Sequence, residues 1–82
     1  MNKIILDIDG MKCGMCEAHI NDIIRKSFKI KSVKSNHKKN NSIIILESDI
    51  SDEKIINVFK DSGYIIKNIK REEAVKKLFW YK

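Results

Sequence analysis

Ile4-Ile5-Leu6-Asp7-Ile8-Asp9-Gly10-Met11-Lys12-Cys13-Gly14-Met15-Cys16, followed by Glu17-Ala18-His19-Ile20-Asn21-Asp22-Ile23-Ile24, is the stretch that decides the architecture. Ile4, Leu6 and Ile8 fall on one face of a period-two pattern, with Ile5, Asp7 and Asp9 on the other, which predicts a half-buried strand over 3–9. From Glu17 onward the period changes. Ile20, Ile23, Ile24 and Phe28 stand at i, i+3, i+4 and i+8, one face of a helix over 17–28. Between strand and helix lie both cysteines of the chain, Cys13 and Cys16. Two thiols so spaced at a helix start can hold a soft metal ion or cycle through a disulfide.

Downstream, residues 29–38 hold only Ile30 and Val33 as apolar side chains, so a strand there must be short and at an edge. Lys38-Lys39-Asn40-Asn41 reads as a turn, because asparagine tolerates left-handed backbone. Ile43-Ile44-Ile45-Leu46 is a continuous apolar run and predicts a strand over 42–47, closing a hairpin. Ser51 is a helix N-cap followed by Asp52 and Glu53, with Ile55, Ile56 and Phe59 as the expected buried stripe. Gly63 is expected to end that helix, and Tyr64, Ile65, Ile66 and Ile69 mark a last strand over 64–70. The order is β-α-β-β-α-β: an α+β, ferredoxin-like sandwich with an antiparallel sheet, occupying 1–70. Residues 71–82 form a C-terminal extension for which Glu72 to Phe79 favour helix.

Composition bounds the rest. Eighty-two residues make one domain. Hydrophobic residues are 43% and charged residues 34%, a globular balance. No apolar run approaches the ~20 residues of a membrane span, and no signal-peptide pattern opens the chain. A lone pair of cysteines without a signal fits a reducing compartment, so the expected location is the cytoplasm. The start at Met1 and the absence of linker composition favour a free-standing protein over an excised module. The charge is +6, with Lys29, Lys31, Lys34, Lys38 and Lys39 in one stretch. A solvated hairpin edge is the favoured explanation, and a docking patch for an acidic partner or for nucleic acid the functional one. RNA binding is not expected, because residues 3–9 and 42–47 carry no aromatic side chain on which a base could stack.

Gly10-Met11-x-Cys13-x-x-Cys16 between first strand and first helix, in a β-α-β-β-α-β chain, resembles the heavy-metal-associated domain, the family of bacterial copper chaperones and copper-ATPase metal-binding modules. Asp61-Ser62-Gly63-Tyr64 resembles that family's Gly-Tyr step. The resemblance implies Cu(I) held by the sulfurs of Cys13 and Cys16, Met11 packed under the loop, and Tyr64 near the metal. It also implies exchange with a copper-transporting P-type ATPase or another metal-exchange protein, and no catalysed reaction. Lys29-Ile30 stands where the family has a glycine-valine entry to its second strand, and Ser35 where an apolar residue is usual.

The residues themselves bear on the choice of ion. Two thiolates suit a soft monovalent ion of low coordination number, with Cu(I) the best fit and other thiophilic ions open. A closed zinc site wants four ligands, which the sequence does not supply. Lys12 stands where zinc-selective relatives commonly carry an acidic residue, and it can offset the charge of a bis-thiolate complex. Gly14 is expected to let the backbone fold back between the cysteines. Met15 is a candidate for metal capture against a plain exposed methionine. His19, one helical turn past Cys16, is a candidate third ligand against a solvent-facing helix residue. Tyr64 is a shield for the metal or an aromatic closing the core, and His37 has no partner in the pattern.

The alternative function is a thiol–disulfide oxidoreductase using the Cys13–Cys16 pair. Thioredoxin-like folds resemble each other in a proline beside that motif, and this chain contains no proline. The protein is expected to be a monomer without metal, with a metal-bridged dimer through four thiolates open. Ile5 and the both-face apolar run at 43–46 leave the open sheet face too apolar for water. Val75, Leu78, Phe79 or Trp80 of the extension, or a second subunit, is expected to cover it.

Overall fold

The computed structural model describes residues 2–73. Within them the order is β1 (Asn2–Asp9), α1 (Gly14–Ser27), β2 (Ser32–Asn36), β3 (Asn41–Leu46), α2 (Asp52–Phe59) and β4 (Ile65–Glu73). The four strands form one sheet in the order β2-β3-β1-β4, with every neighbouring pair antiparallel. This is the expected ferredoxin-like arrangement. β1 sits between β3 and β4, so the segment that leads into the cysteine loop is the best-anchored strand of the sheet.

The period-two reading of β1 is realised: Ile4, Leu6 and Ile8 are buried to within 1%. They pack with Ile44 and Leu46 of β3, Ile20 and Ile24 of α1, and Ile55 and Phe59 of α2 in a single core. Both helices therefore cover the same face of the sheet. Val33 is the apolar contribution of β2, and Ser35 points the same way. Ser35 departs from the family pattern without an unpaired polar atom. Its hydroxyl donates to Asn21 Oδ1 at 2.6 Å, and Ser42 Oγ lies 2.6 Å from it. With the Ser35 proton on Asn21, the Ser42 hydroxyl is the donor between the two serines. A buried hydroxyl needs this partner, since leaving it unmet costs about 1–3 kcal/mol.

Three expectations change. Ile56 is 51% exposed, and the inward face of α2 is instead Ile55 and Phe59, with Val58 partly buried beside them. A helix of eight residues turns only one narrow stripe inward, and spacing i, i+4 selects Ile55 and Phe59. Gly63 does not cap α2: the helix ends at Phe59 with Lys60 as C-cap, and Gly63, at φ +89°, closes the turn that follows. The Ser51 cap is as expected, its Oγ accepting from the Lys54 N–H at 3.3 Å.

The third change concerns the start of the extension. Residues 71–73 continue β4 and are not helical, because Arg71, Glu72 and Glu73 pair with Ile4, Lys3 and Asn2. Lys3 and Glu72 form a cross-strand ion pair at 3.7 Å. Arg71 reaches to the start of α2, with Nε 3.1 Å from Asp49 and Nη1 on Asp52, and Nη2 donates to the Ile50 carbonyl. These long-range partners outweigh the local helical preference of a charged stretch. The remaining expectations for the extension, on Val75, Leu78, Phe79 and Trp80, lie outside the described residues.

Candidate metal centre

The loop between β1 and α1 begins with a residue that must be glycine. Gly10 has φ +101°, and a Cβ there would lie 3.3 Å from the Gly63 carbonyl oxygen and 3.4 Å from the Tyr64 ring. The backbone conformation and the close approach of the second turn both exclude a side chain. Met11 then turns inward, 3% exposed, and joins the core. That is the expected packing under the loop, and it places Met11 among aliphatic neighbours. Gly14, by contrast, lies inside the first turn of α1, where a Cβ would meet nothing within 4 Å, so the chain folds back without needing glycine at that point. Helical geometry alone brings Cys13 and Cys16 onto one turn.

Cys13 is the N-cap of α1 in extended backbone. Its carbonyl accepts from the N–H groups of Cys16 and Glu17 at 3.0 and 3.2 Å, while its side chain makes no capping bond. The thiol is exposed and uncommitted to the helix. Cys16, three residues in, is half-buried against the core, and both cysteines are free thiols. The Cys16 thiol is lowered from 9.0 to about 7. The Lys12 backbone N–H has the largest effect, followed by the Tyr64 hydroxyl, with burial opposing and Cys13 adding smaller contributions. Hydrogen bonds to the thiolate favour the charged form, as they do at other helix N-termini.

Tyr64 enters from the far side of the molecule. The turn after α2 aims it: the Ser62 hydroxyl donates to the Phe59 carbonyl at 2.7 Å and accepts from the Tyr64 N–H at 3.2 Å. The Tyr64 hydroxyl lies against the Cys16 thiol, which raises its own pKa. It is also 3.3 Å from His19 Nδ1, the two rings meeting edge to face with centroids 5.7 Å apart. His19 is thus drawn toward Tyr64, and among the described residues no three His, Cys, Asp or Glu side chains gather as a metal cage. Met15 is 82% exposed, and Lys12 is also at the surface.

One pair escapes the sequence. His37, from the β2–β3 turn, donates its backbone N–H to Glu17 Oε2 at 2.8 Å, and its Nδ1 is 2.6 Å from the same oxygen. These bonds lower the Glu17 carboxyl and tie the turn to the first helical turn beside Cys16. Twenty residues separate the partners, and no local pattern signals the contact. The same turn carries Lys38 and Lys39, and Asn40 adopts the left-handed conformation expected of it, at φ 54°. Ile8 N–H donates to the Asn40 carbonyl at 2.8 Å, so this turn lies at the loop's end of the sheet. Lys31, whose N–H donates to Ile45, lies at the opposite end and pairs with Glu47 at 3.2 Å. The basic run is therefore divided, and only Lys38 and Lys39 join Lys12 at the cysteine end.

No family model matches this chain. A mercuric reductase of Lysinibacillus sphaericus is 30% identical over 64 residues, 78% of this chain, and the chain spans 12% of that relative's length. Among solved structures, one described as the CopZ metallochaperone superposes with a TM-score of 0.68 at 20% identity, covering 78% of this chain and 97% of its own. The N-terminal domain of ZntA in its Zn(II) form superposes with a TM-score of 0.69 at 16% identity, covering 90% of this chain and 96% of its own. The chain shares the β-α-β-β-α-β fold of these solved structures. The resemblance read from Gly10, Met11, Cys13 and Cys16 holds for the architecture that carries them, and in this fold both cysteines lie at the start of α1, Cys13 exposed and Cys16 half-buried.

The depressed Cys16 thiol predicts a pH dependence. In the metal-free protein, alkylation of Cys16 resolved by mass should rise with a midpoint at about 7, well below the ordinary 9.0. Tyr64→Phe removes a donor to the thiolate and should move that midpoint upward. The fold favours the charged form, so the stability tied to this group is fully present above 9.0 and is lost as pH falls through about 7. Urea midpoints should accordingly fall between pH 9 and pH 7, and a midpoint of alkylation at the ordinary thiol value would contradict the assigned hydrogen bonds.

Proposed function

We propose that this protein is a metal-transfer protein: the sulfurs of Cys13 and Cys16 bind a soft metal ion, Cu(I) above others, and release it to thiolates of a partner. The observation that carries the proposal is the Cys13–Cys16 pair on the first turn of α1, Cys13 exposed and Cys16 half-buried with its thiol pKa lowered to about 7. A thiolate available at pH 7 binds a soft ion without a steep proton cost. Two sulfurs with, among the described residues, no cluster of three His, Cys, Asp or Glu side chains around them suit low coordination, which Cu(I) accepts and Zn(II) resists. Lys12, exposed next to the pair, offsets the negative charge of a bis-thiolate complex.

Transfer follows from the same geometry. A partner's thiolate can attack an ion held at the surface by two ligands, and the ligands then change one at a time with no covalent bond of the protein made or broken. No catalysis is proposed. The partner class is a copper-transporting P-type ATPase or another metal-exchange protein, met in the cytoplasm by a protein that is monomeric without metal. No helix among the described residues is long and apolar enough to cross a membrane. Lys12, Lys38 and Lys39 at the loop end would steer an acidic partner, so transfer should slow markedly as ionic strength rises and the Debye length falls below ~8 Å. Equal transfer rates at low and high salt would remove the lysines from docking.

The reading is tested by titrating the reduced protein with Cu(I), Zn(II) and Hg(II) against chelators, with mass recorded at each point and His19→Ala run beside the wild type. One soft ion per chain, with Zn(II) lost to the chelator, is the expected result. A doubled mass would identify a metal-bridged dimer, and a weaker His19→Ala protein across the histidine range would make His19 a ligand. Catalytic reduction of a disulfide substrate without stoichiometric metal binding would favour the oxidoreductase alternative, which the same depressed thiol could serve.

A further inference from the structure

Asn40 is the one residue other than glycine, among those described, with positive φ. Glycine would meet that backbone requirement equally well, at no steric cost. The asparagine side chain adds what glycine lacks. Its amide, oriented with Nδ2 toward the two carbonyl oxygens that face it, donates to the Met11 carbonyl at 3.1 Å and to the His37 carbonyl at 3.2 Å. Nδ2 carries two protons, so both bonds are made at once. The first reaches out of the β2–β3 turn into the cysteine loop. The base from which Asn40 reaches is itself fixed. Its own carbonyl accepts from the Ile8 N–H at 2.8 Å, and Asn36 Oδ1 accepts from the N–H groups of Lys38 and Lys39 at 2.9 and 3.2 Å. His37 binds Glu17 through its backbone N–H and its ring. The turn thus grips the loop just before Lys12 and the helix just after Cys16.

The Met11 carbonyl and the Lys12 N–H belong to one peptide unit, and no peptide bond among the described residues is cis. In a planar trans unit the two groups point in opposite directions, so fixing one fixes the other. Asn40 holds the carbonyl end, and the N–H end is the group with the largest effect on the Cys16 thiol. We propose that Asn40 is a positioning residue for the metal pair: its amide holds the Met11–Lys12 peptide so that the Lys12 N–H stays on the Cys16 sulfur, bare or carrying an ion. The inference rests on the reading of Cys13 and Cys16 as the metal-binding pair. Asn40 acts through the backbone of the loop, not through a bond to either sulfur. A donor to a metal-bound thiolate stabilises it and fixes its direction, as outer-shell partners do at other metal sites. A hydrogen bond to the carbonyl also polarises the peptide and strengthens its N–H as a donor. With the peptide free to turn, the Lys12 N–H would exchange the sulfur for water, and the loop would hold its ion less tightly.

Two substitutions test this in the full-length, reduced protein. Asn40→Gly keeps the left-handed turn and removes the amide. Asn40→Asp tolerates the same backbone and keeps the side-chain shape but, ionised, has no proton to donate. NMR on the metal-free protein reads the peptide directly, through exchange of the Lys12 N–H with water and the Met11 carbonyl carbon shift. In both variants the Lys12 N–H should exchange roughly two- to tenfold faster than in the wild type, the range of one hydrogen bond. The Met11 carbonyl carbon should move upfield, a local signature that a general loss of stability does not produce. Chelator competition at a single pH should then show both variants holding Cu(I) roughly two- to tenfold less tightly. Unchanged Lys12 exchange and an unchanged Met11 shift in both variants overturn the proposal. So does wild-type Cu(I) affinity in variants whose peptide has been freed. A wild type that gives up Cu(I) as readily as the variants, while Lys12 still responds to Asn40, places the failure in the metal-transfer reading and keeps Asn40 as the holder of the loop.

Discussion

Cys13→Ser and Cys16→Ser are each expected to abolish tight metal binding, weakening it by more than about 100-fold, beyond the loss that removing an outer-shell partner causes. Each substitution leaves one thiolate, and a hydroxyl is a poor ligand for a soft ion. The two variants should nevertheless differ in the metal-free state. Cys13 is exposed and its side chain makes no capping bond, so serine there should keep or slightly raise stability by supplying an N-cap oxygen. Cys16 is half-buried beside Tyr64, and its replacement removes the pH-dependent stability described above. Competition titrations and urea unfolding at pH 7 and 9 read both effects. Retained tight binding in either serine variant would falsify the two-sulfur site.

Met11→Ala is expected to destabilise the fold by about 2–5 kcal/mol, the range for removing a buried methionine. Met11 is 3% exposed and packed in the core directly before the cysteine loop. Met11→Leu conserves volume and should cost less than about 1.5 kcal/mol. The pair of variants separates packing from ligation. If Met11 holds the loop by packing, Met11→Leu binds metal as the wild type does, and Met11→Ala loses stability first. If its sulfur were a ligand, leucine would weaken metal binding without weakening the fold. Urea midpoints and chelator competition on the same samples give both readings.

The elements of the sheet differ in how much of them a local pattern can carry. β1 and α1 are legible because their apolar residues repeat at two and at 3.6 residues, and each repeat has one buried face in the structure. β4 is less legible. Its last three residues, Arg71, Glu72 and Glu73, are strand because Asn2, Lys3 and Ile4 are there to pair with them. Ile56 is as apolar as Ile55, and only the direction in which α2 lies on the sheet exposes it. The chemistry of Gly63 suits a helix cap, which is correct for positive φ but silent about which turn needs it.

The candidate site divides the same way. By itself the sequence determined the Cys13–Cys16 spacing, the helix start that lowers a thiol, and the inward parity of Met11, since each depends on neighbours within a few residues. Tertiary structure alone decided that the Tyr64 hydroxyl meets Cys16 and also His19, from which it is 45 residues away in sequence, that Gly10 has no room for a side chain beside Gly63, and that Glu17 receives His37. It also divided the lysine run between the two ends of β2. The physical reason is common to these cases. Periodicity and capping are local and repeat along the chain, whereas a hydrogen bond or a covered face between distant segments depends on strand order and register, which no single segment encodes.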